Sequence, residues 1–195
     1  MEYLPINRAL ISVTDKSGLE ELCKTLSSGG TEIVSTGGTM KKIQEAGLNV
    51  TPVSDVTGFP EIMDGRVKTL HPHIHAGVLA DKDSSSHLQT LQEMGLQAFD
   101  LICVNLYEFE NALNKGLETR DLVEEIDIGG PTLLRAGAKN FHSVAVLPDP
   151  EFYTRFLQEL EQNNHRINLA FRQEMASYTF RKISEYDSTI SKALS

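Results

Sequence analysis

The run from Phe99 to Tyr107 is apolar almost throughout and constrains the fold more than any other segment of this chain. Such a strand is typical of a parallel sheet that is covered on both faces. Short apolar runs elsewhere predict further strands, and helical patterns that often end in glycine separate them. These further strands are predicted at residues 8–13, 32–35, 50–53, 77–80 and 143–147.

This alternation predicts an α/β fold with three layers, in which a mainly parallel sheet is flanked by helices. The pattern becomes helical from Pro150 onward, and a long helix is predicted to begin near Leu169. We therefore expect a single domain over residues 1–195, with a core at about 8–148 and a helical C-terminal extension at about 150–195.

The composition excludes several classes of protein. A net charge of -9 argues against a surface for nucleic acid, which needs basic residues to neutralise phosphates. No segment approaches the roughly 20 apolar residues that a membrane span requires. The two cysteines, Cys23 and Cys103, lie in apolar stretches without metal-binding spacing, as is typical of buried thiols in a reducing compartment. We expect a cytoplasmic protein with no membrane partner.

Two polar turns follow the first two strands of the predicted sheet. The first contains Thr14, Asp15 and Lys16, and the second is Thr36-Gly37-Gly38-Thr39, which opens a helix. Bare backbone N–H groups at a helix N-terminus favour an anion, although such a glycine turn can also be only a tight connection. Because ligands gather at the carboxyl ends of parallel strands, the two turns together predict a phosphate site.

The segment from Thr57 to His75 has too many glycines and prolines for a regular element and contains Arg66 and Lys68. The two cations project together if the segment between them is extended, so they could hold a phosphate or a developing oxyanion. Its three alternating histidines could in principle bind zinc. No carboxylate or cysteine completes a ligand set at usual spacing, so no metal site is expected.

Two further sets of residues could be catalytic or structural. Asn105 and Tyr107 end the apolar strand, and Asp127 precedes a glycine-rich helix start. Asp127 could simply cap that helix, and Lys139, two turns or more into it, could be a solvated surface charge. The residues alone leave both interpretations open.

Four motifs, taken in order and spacing, carry a resemblance to a known family. They are SVTDKSGL (12–19), STGGT (35–39), TGFPEIMDGRVKTLHPHIHAG (57–77) and DIGGPTLLRAGAKN (127–140). The chain resembles, from about residue 8 to its end, the IMP cyclohydrolase domain of the bifunctional purine biosynthesis protein. The fold of that domain is similar to methylglyoxal synthase.

The resemblance implies ring closure of formamido-imidazole-carboxamide ribonucleotide (FAICAR) to inosine monophosphate (IMP) with loss of water, without any cofactor. It implies that Lys68 and Tyr107 activate the carboxamide, while Asp127 and Lys139 assist attack and proton transfer to the departing oxygen. The residues that it places around the ligand are Thr14, Asp15, Lys16, Thr36, Gly37, Gly38, Thr39, Arg66, Val67, Thr69, Asn105, Ile128 and Gly129.

The chain departs from the family in two respects. Glu108 stands where the family usually has a proline beside the tyrosine, and residues 1–195 do not include the transformylase domain that usually follows. The resemblance implies a homodimer, and it allows a separate transformylase as a partner. Two alternatives are a methylglyoxal synthase-like lyase that acts on a triose phosphate and a non-catalytic module that senses a phosphorylated metabolite.

Overall fold

The computed structural model of the chain describes residues 1–107 and 109–195, without the side chain of residue 64. Residue 108, and with it the departure from the family at this position, lies outside the described residues. The strands are β1 (Tyr3–Pro5), β2 (Arg8–Ser12), β3 (Glu32–Ser35), β4 (Thr51–Pro52), β5 (Leu101–Val104), β6 (Ala145–Leu147) and β7 (Arg166–Asn168).

Helices connect nearly all of these strands, and short 3₁₀ turns occur at Met63–Gly65 and Pro150–Phe152. The α-helices are α1 (Leu19–Ser28), α2 (Gly37–Glu45), α3 (Val53–Thr57), α4 (Pro72–Leu79), α5 (Ser85–Glu93), α6 (Phe109–Asn114), α7 (Thr119–Glu124), α8 (Gly129–Lys139), α9 (Tyr153–Gln162) and α10 (Leu169–Ala193).

Five strands form one parallel sheet in the order β4-β3-β2-β5-β6. The central strand β2 pairs Ala9 with Ile33 of β3 on one side and with Leu101 of β5 on the other. From β2 the chain first moves outward through β3 to β4 and then returns to add β5 and β6 on the opposite side. The order therefore reverses between β2 and β5, where open α/β sheets place their ligands.

The reversal also explains why helices cover both faces of the sheet. Right-handed crossovers that run in opposite directions along a sheet must lie on opposite faces. Accordingly α1 packs with α2 and α9, whereas α8 packs with α4 and α10. Strands β2 and β5 are almost wholly buried between these layers. The predicted mainly parallel, helix-flanked architecture is confirmed.

The prediction of a strand at residues 77–80 is wrong, because this stretch lies in helix α4 and at its end. Pro72 occupies the first turn, and the ring Nδ1 of His71 accepts the N–H of His73, so the segment carries its own helix start. The helix buries Ile74, Gly77 and Val78 on one side. Apolar residues at this spacing fit a buried helix as well as a strand, and the short run did not distinguish them.

The predicted helical extension also contains a strand that the sequence did not indicate. Strand β7 pairs antiparallel with β1, and Leu4 lies opposite Ile167. Both side chains are fully buried, so this small sheet ties the N-terminal residues to the extension. None of the described helices is long and apolar enough to cross a membrane.

The side chain of Arg172 on α10 is fully buried, and it binds the N-terminus and the segment after α8. Its guanidinium donates to the carbonyl oxygens of Met1 at 2.6 Å, Glu2 at 3.1 Å and Phe141 at 2.9 Å, and it also donates to that of His142. A guanidinium is suited to this role because its planar fork carries five donors. Arg172 of the last helix thus holds the start of the chain in addition to the pairing of β1 with β7.

We expect Arg172→Met to lower the free energy of unfolding by about 3 kcal/mol or more, because four partly buried carbonyl groups lose a charged donor while the aliphatic volume is retained. Urea denaturation measures this change. Arg181→Met on the exposed side of the same helix is the matched control and should change stability little. Equal stability of the two variants would contradict the proposed importance of these hydrogen bonds.

Candidate active site

A cavity of about 880 Å³ opens at the carboxyl ends of the parallel strands, where the strand order reverses. This volume suits a small-molecule ligand. The cavity collects residues from the ends of β2, β3 and β5, from the segment after α3, and from the start of α8. Most of the residues predicted to form the site line it: Thr14, Lys16, Thr36, Gly37, Gly38, Thr39, Arg66, Lys68, Thr69, Asn105, Tyr107, Asp127, Ile128 and Gly129.

The N-terminus of α2 forms one wall of the cavity. Thr36 occupies the N-cap position in an extended conformation, and its side chain makes no capping hydrogen bond. Gly37 follows with a φ of 56°, a left-handed conformation that glycine adopts without strain. The first N–H groups of the helix therefore face the cavity without a side-chain cap, as an anion site requires.

Thr39 has a structural task in addition to its place in the cavity wall. It is buried, and its hydroxyl accepts the N–H of Val13 at 3.0 Å and donates to the carbonyl of Val13 at 2.9 Å. Both hydrogen-bonding functions of the hydroxyl are thus used to fix α2 against the end of β2. The hydroxyl proton of Thr39 is therefore already engaged with Val13.

Asn105 also holds the site together. Its buried amide oxygen accepts the N–H groups of Thr14 at 2.6 Å and Asp15 at 3.1 Å, and its amide nitrogen donates to the carbonyl of Asp15 at 2.9 Å. These bonds connect the end of β5 to the loop after β2. The resemblance places Asn105 against the base of the ligand, but most of its hydrogen-bonding capacity is spent on the loop.

In the loop after β2, Asp15 is not among the described residues that line the cavity. The carboxylate of Asp15 accepts the N–H and the hydroxyl of Ser17 at 2.8 and 2.7 Å, and these bonds lower its pKa. Lys16 remains at the cavity, with its ammonium 3.2 Å from the carbonyl oxygen of Thr14. An anion at the turn thus meets a cation and no carboxylate from this loop.

The two predicted cations of the long loop are already paired with carboxylates. The ammonium of Lys68 lies 3.3 Å from Glu61, and Arg66 forms an ion pair with Glu124 at the end of α7. Gly65 makes room for the first pair: a Cβ there would lie 2.5 Å from Cε of Lys68 and 2.6 Å from the Glu61 carboxylate. Lys68 also reaches the α2 turn, 3.6 Å from where a Cβ of Gly37 would stand.

Asp127 faces the cavity from the segment before α8. Its carboxylate accepts the N–H of Gly130 at 2.9 Å. Burial raises the pKa of Asp127 above its ordinary value, while bonds from Gly130 and Gly129 and the charge of Lys68 oppose the rise. Asp127 therefore binds the start of α8, as the capping interpretation predicted. Its carboxyl group also holds a proton more tightly than an exposed aspartic acid does.

Hydrophobic residues surround the mouth of the cavity. Tyr107 is 52% exposed and Ile128 is 60% exposed, and both line the cavity. Thr69 is buried and lies beside the helix start, 3.2 Å from where a Cβ of Gly129 would stand. A planar, partly apolar group could thus lie between exposed apolar surfaces while its polar edge meets Asp127 and Lys68.

Three predicted site residues are not among the described residues that line the cavity: Asp15, Val67 and Lys139. Val67 forms an isolated antiparallel β-bridge with Ile62. Lys139 is exposed at the last residue of α8, about 15 Å along the helix from Gly129. The structure therefore brings Lys68, Tyr107 and Asp127 together and leaves Lys139 at the opposite end of the helix.

The three histidines do not form a shared face. His71 precedes α4 and caps it, while His73 and His75 lie within the helix. Among the described residues, no group of three or more His, Cys, Asp or Glu side chains could hold a metal ion. Burial lowers the pKa of His75 below its ordinary value.

Sequence reasoning missed Glu61, Glu124 and Tyr186, which contact the site residues directly. Glu61 lies within the recognised motif, so its closeness to Lys68 in sequence was a usable signal. Glu124 and Tyr186 come from separate helices, and only the tertiary packing brings them to the site.

These features define an α/β protein with a cavity at the switch point of a parallel sheet, lined by the uncapped start of a helix and by basic side chains. The model of the MGS-like domain family matches residues 18–132, and the model of the AICARFT/IMPCHase bienzyme family matches residues 137–195. The chain belongs to the MGS-like domain family. The two matches together confirm the resemblance that the four motifs indicated.

Individual relatives agree with this assignment. The chain is 49% identical over 187 residues to the bifunctional purine biosynthesis protein PurH of Ruegeria sp. (strain TM1040), and 49% identical over 190 residues to PurH of Paracoccus denitrificans (strain Pd 1222). These matches cover 96% and 97% of this chain but 35% and 36% of the relatives. The chain thus spans about a third of their length.

A solved structure covers the chain more evenly. The crystal structure of ForH superposes with a TM-score of 0.85 at 32% sequence identity, and the match covers 95% of each chain. The described fold is therefore shared over nearly its whole length, including most of the C-terminal extension.

We expect Asp127→Asn to stabilise the folded protein at pH 7. Because the pKa of Asp127 is higher in the folded than in the unfolded state, its ionisation lowers stability as the pH rises through that interval. Asparagine removes the charge and can still accept the N–H of Gly130. The gain should shrink as the pH falls from the folded-state pKa toward about 3.9, and it should be absent below that value, where the carboxyl is protonated in both states.

Urea denaturation at pH 7 and near pH 3 measures this difference. Asp121→Asn on exposed α7 is the matched control and should show a smaller effect at both pH values. An Asp127→Asn variant that is less stable at pH 7 would mean that attraction of the carboxylate to the start of α8 outweighs its desolvation.

Proposed function

We propose that this chain is an IMP cyclohydrolase, which closes FAICAR to IMP with loss of water in purine biosynthesis. The observation that carries the proposal is the meeting of Lys68, Tyr107 and Asp127 with the uncapped start of α2 in one cavity. The names of the PurH relatives and of the bienzyme family support the same reaction.

The cavity offers separate places for the two ends of the substrate. The ribose phosphate binds at the N-terminus of α2, with Lys16 from the neighbouring loop as a further cation. The imidazole extends toward Asp127, between the exposed side chains of Tyr107 and Ile128. This arrangement holds the formyl and carboxamide groups close together, and proximity of this kind can supply much of the rate of an intramolecular reaction.

Ring closure requires two proton transfers. The carboxamide nitrogen forms a bond to the formyl carbon and loses one proton. The formamido nitrogen loses a second proton as it forms a double bond to the same carbon and the bond from that carbon to the former formyl oxygen breaks. This oxygen gains both protons and leaves as water. Lys68 and Tyr107 polarise the carboxamide. Asp127, whose burial raises its pKa, holds a proton more firmly than an exposed carboxyl and exchanges it with the reacting groups. We assign the catalytic steps to these three residues.

The alternatives predict other products. A methylglyoxal synthase-like lyase would form methylglyoxal from dihydroxyacetone phosphate, and a metabolite sensor would bind IMP without turnover. The alternatives share the phosphate turn, but neither requires an amine, a phenol and a buried carboxyl at the other end of the cavity. The cyclohydrolase reaction uses all three.

We also propose the partners and the location that the resemblance carries. A transformylase, on the same or a separate chain, supplies FAICAR, and the protein acts as a homodimer. The bifunctional names of the relatives support the first of these. The buried free thiols of Cys23 and Cys103 support a reducing, cytoplasmic location.

Purified protein should convert FAICAR to IMP, followed by the absorbance of the purine ring. Lys68→Met should lower kcat by about 10²- to 10⁴-fold through loss of acid assistance. It should weaken IMP binding much less, because α2 and Lys16 still hold the phosphate. Lys115→Met, exposed and outside the cavity, is the matched control.

Three results would contradict the proposal in different ways. Binding of IMP without turnover of FAICAR would favour the sensor, and production of methylglyoxal would favour the lyase. Loss of IMP affinity in Lys68→Met that equals the loss of kcat/KM would make Lys68 a phosphate ligand rather than an activating group.

Lys139→Ala should leave kcat within about twofold of the wild-type value, because this side chain is exposed at the far end of α8. The same FAICAR assay, with IMP titration for affinity, measures it. A fall of kcat with unchanged affinity would restore the role in proton transfer that the resemblance implies, and would require another copy of the chain or a rearranged α8 to bring the amine to the cavity.

A further inference from the structure

Tyr186 on the C-terminal helix α10 reaches the candidate active site from outside the cavity. Its hydroxyl oxygen accepts the backbone N–H of Asp127 at 2.8 Å. The two residues are 59 positions apart, so the contact exists only because α10 folds back over the segment that precedes α8. The phenol is half-buried, and its pKa is raised, chiefly by burial.

The ring of Tyr186 also touches the segment that follows Tyr107. It packs edge to face against Phe109, with ring centroids 6.3 Å apart and an interplanar angle of 73°. The N–H of Phe109 in turn donates to the carbonyl of Tyr107 at 3.0 Å. One side chain is therefore in contact with both polypeptide segments that supply the phenol and the carboxyl of the proposed mechanism.

This contact belongs to a small hydrophobic cluster separate from the main core. Its buried members are Phe109, Ala112 and Leu122, and α10 contributes partly buried residues to it. Those of α10 are Tyr186, Ile190 and Ala193. The cluster holds α6, α7 and the end of α10 together beside the mouth of the cavity.

Asp127 is thus held both at its backbone and at its carboxylate. Tyr186 holds its backbone N–H, and the N–H of Gly130 holds its carboxylate at 2.9 Å. The first bond sets the orientation of the peptide plane, and the second sets the rotation of the side chain. Losing the first bond would free the peptide to rotate and would leave the carboxylate anchored only at its tip.

We propose that Tyr186 is a positioning residue, whose hydroxyl fixes the backbone of Asp127 so that the carboxyl group faces the reacting atoms. The catalytic part of this inference rests on the proposed cyclohydrolase function. Tyr186 does not line the cavity among the described residues, so it acts through Asp127 and not on the substrate.

Tyr186→Phe removes the hydroxyl and keeps the ring against Phe109. We expect kcat for FAICAR closure to fall by about 10- to 100-fold, since small misplacements of a reacting group have effects of this size. The affinity for IMP should stay within about twofold, because the phosphate turn is untouched. A merely structural role would not separate kcat from affinity in this way.

Tyr178→Phe is the matched control, because it removes a hydroxyl from the same helix. Tyr178 donates to Glu151 at 2.7 Å and packs against Phe152, and neither partner lines the cavity among the described residues. This variant should keep wild-type kcat. A Tyr186→Phe protein with wild-type kcat, or an equal loss in both variants, would overturn the proposal.

Amide hydrogen exchange of the full chain, read by NMR, tests the contact without any substrate. The Asp127 N–H should exchange about tenfold faster in Tyr186→Phe than in the wild type or Tyr178→Phe. Unchanged exchange would overturn the positioning role even if kcat fell. A wild-type protein that does not close FAICAR would overturn the proposed function and the catalytic role of Tyr186, while accelerated exchange would still establish the contact.

Discussion

The parallel pairing of β2 with β5 is the constraint on which the rest of the molecule depends. It places the strand ends that bear Thr14 and Asn105 side by side, and it makes the chain reverse its direction across the sheet. The amide of Asn105 extends this pairing beyond the last strand residues by binding the backbone of the next loop. The uncapped start of α2, the cations and Asp127 then assemble around this fixed edge.

The sequence predicted correctly the features that depend on residues close together along the chain. Periodicity and glycine turns gave the parallel sheet, and residue type with strand position gave most of the cavity, including Lys68 and Asp127. It failed at residues 77–80, where a short apolar run suits a helix or a strand equally well. It also could not tell that the hydroxyl of Thr39 is already bonded, because that depends on the neighbouring Val13 in space.

Tertiary packing decided the remaining site residues. Helix α8 begins beside Asp127 and runs for 11 residues. Lys139 at its last position therefore lies away from Asp127. Conversely, α10 contributes no residue to the described cavity lining and still brings the hydroxyl of Tyr186 to the backbone of Asp127. The C-terminal extension therefore does more than cover the sheet: it anchors the start of the chain through Arg172 and reaches the candidate active site at its other end.

The ion pairs of Lys68 with Glu61 and of Arg66 with Glu124 have a consequence for selectivity. An anion that enters the cavity competes with Glu61 for Lys68 and with Glu124 for Arg66. Its binding therefore replaces an existing ion pair. A simple inorganic anion gains little from such an exchange. Under the proposed function, a substrate that reaches both the uncapped N-terminus of α2 and Lys68 gains contacts that the two glutamates do not make, so we expect Glu61 and Glu124 to favour ligands long enough to span the cavity.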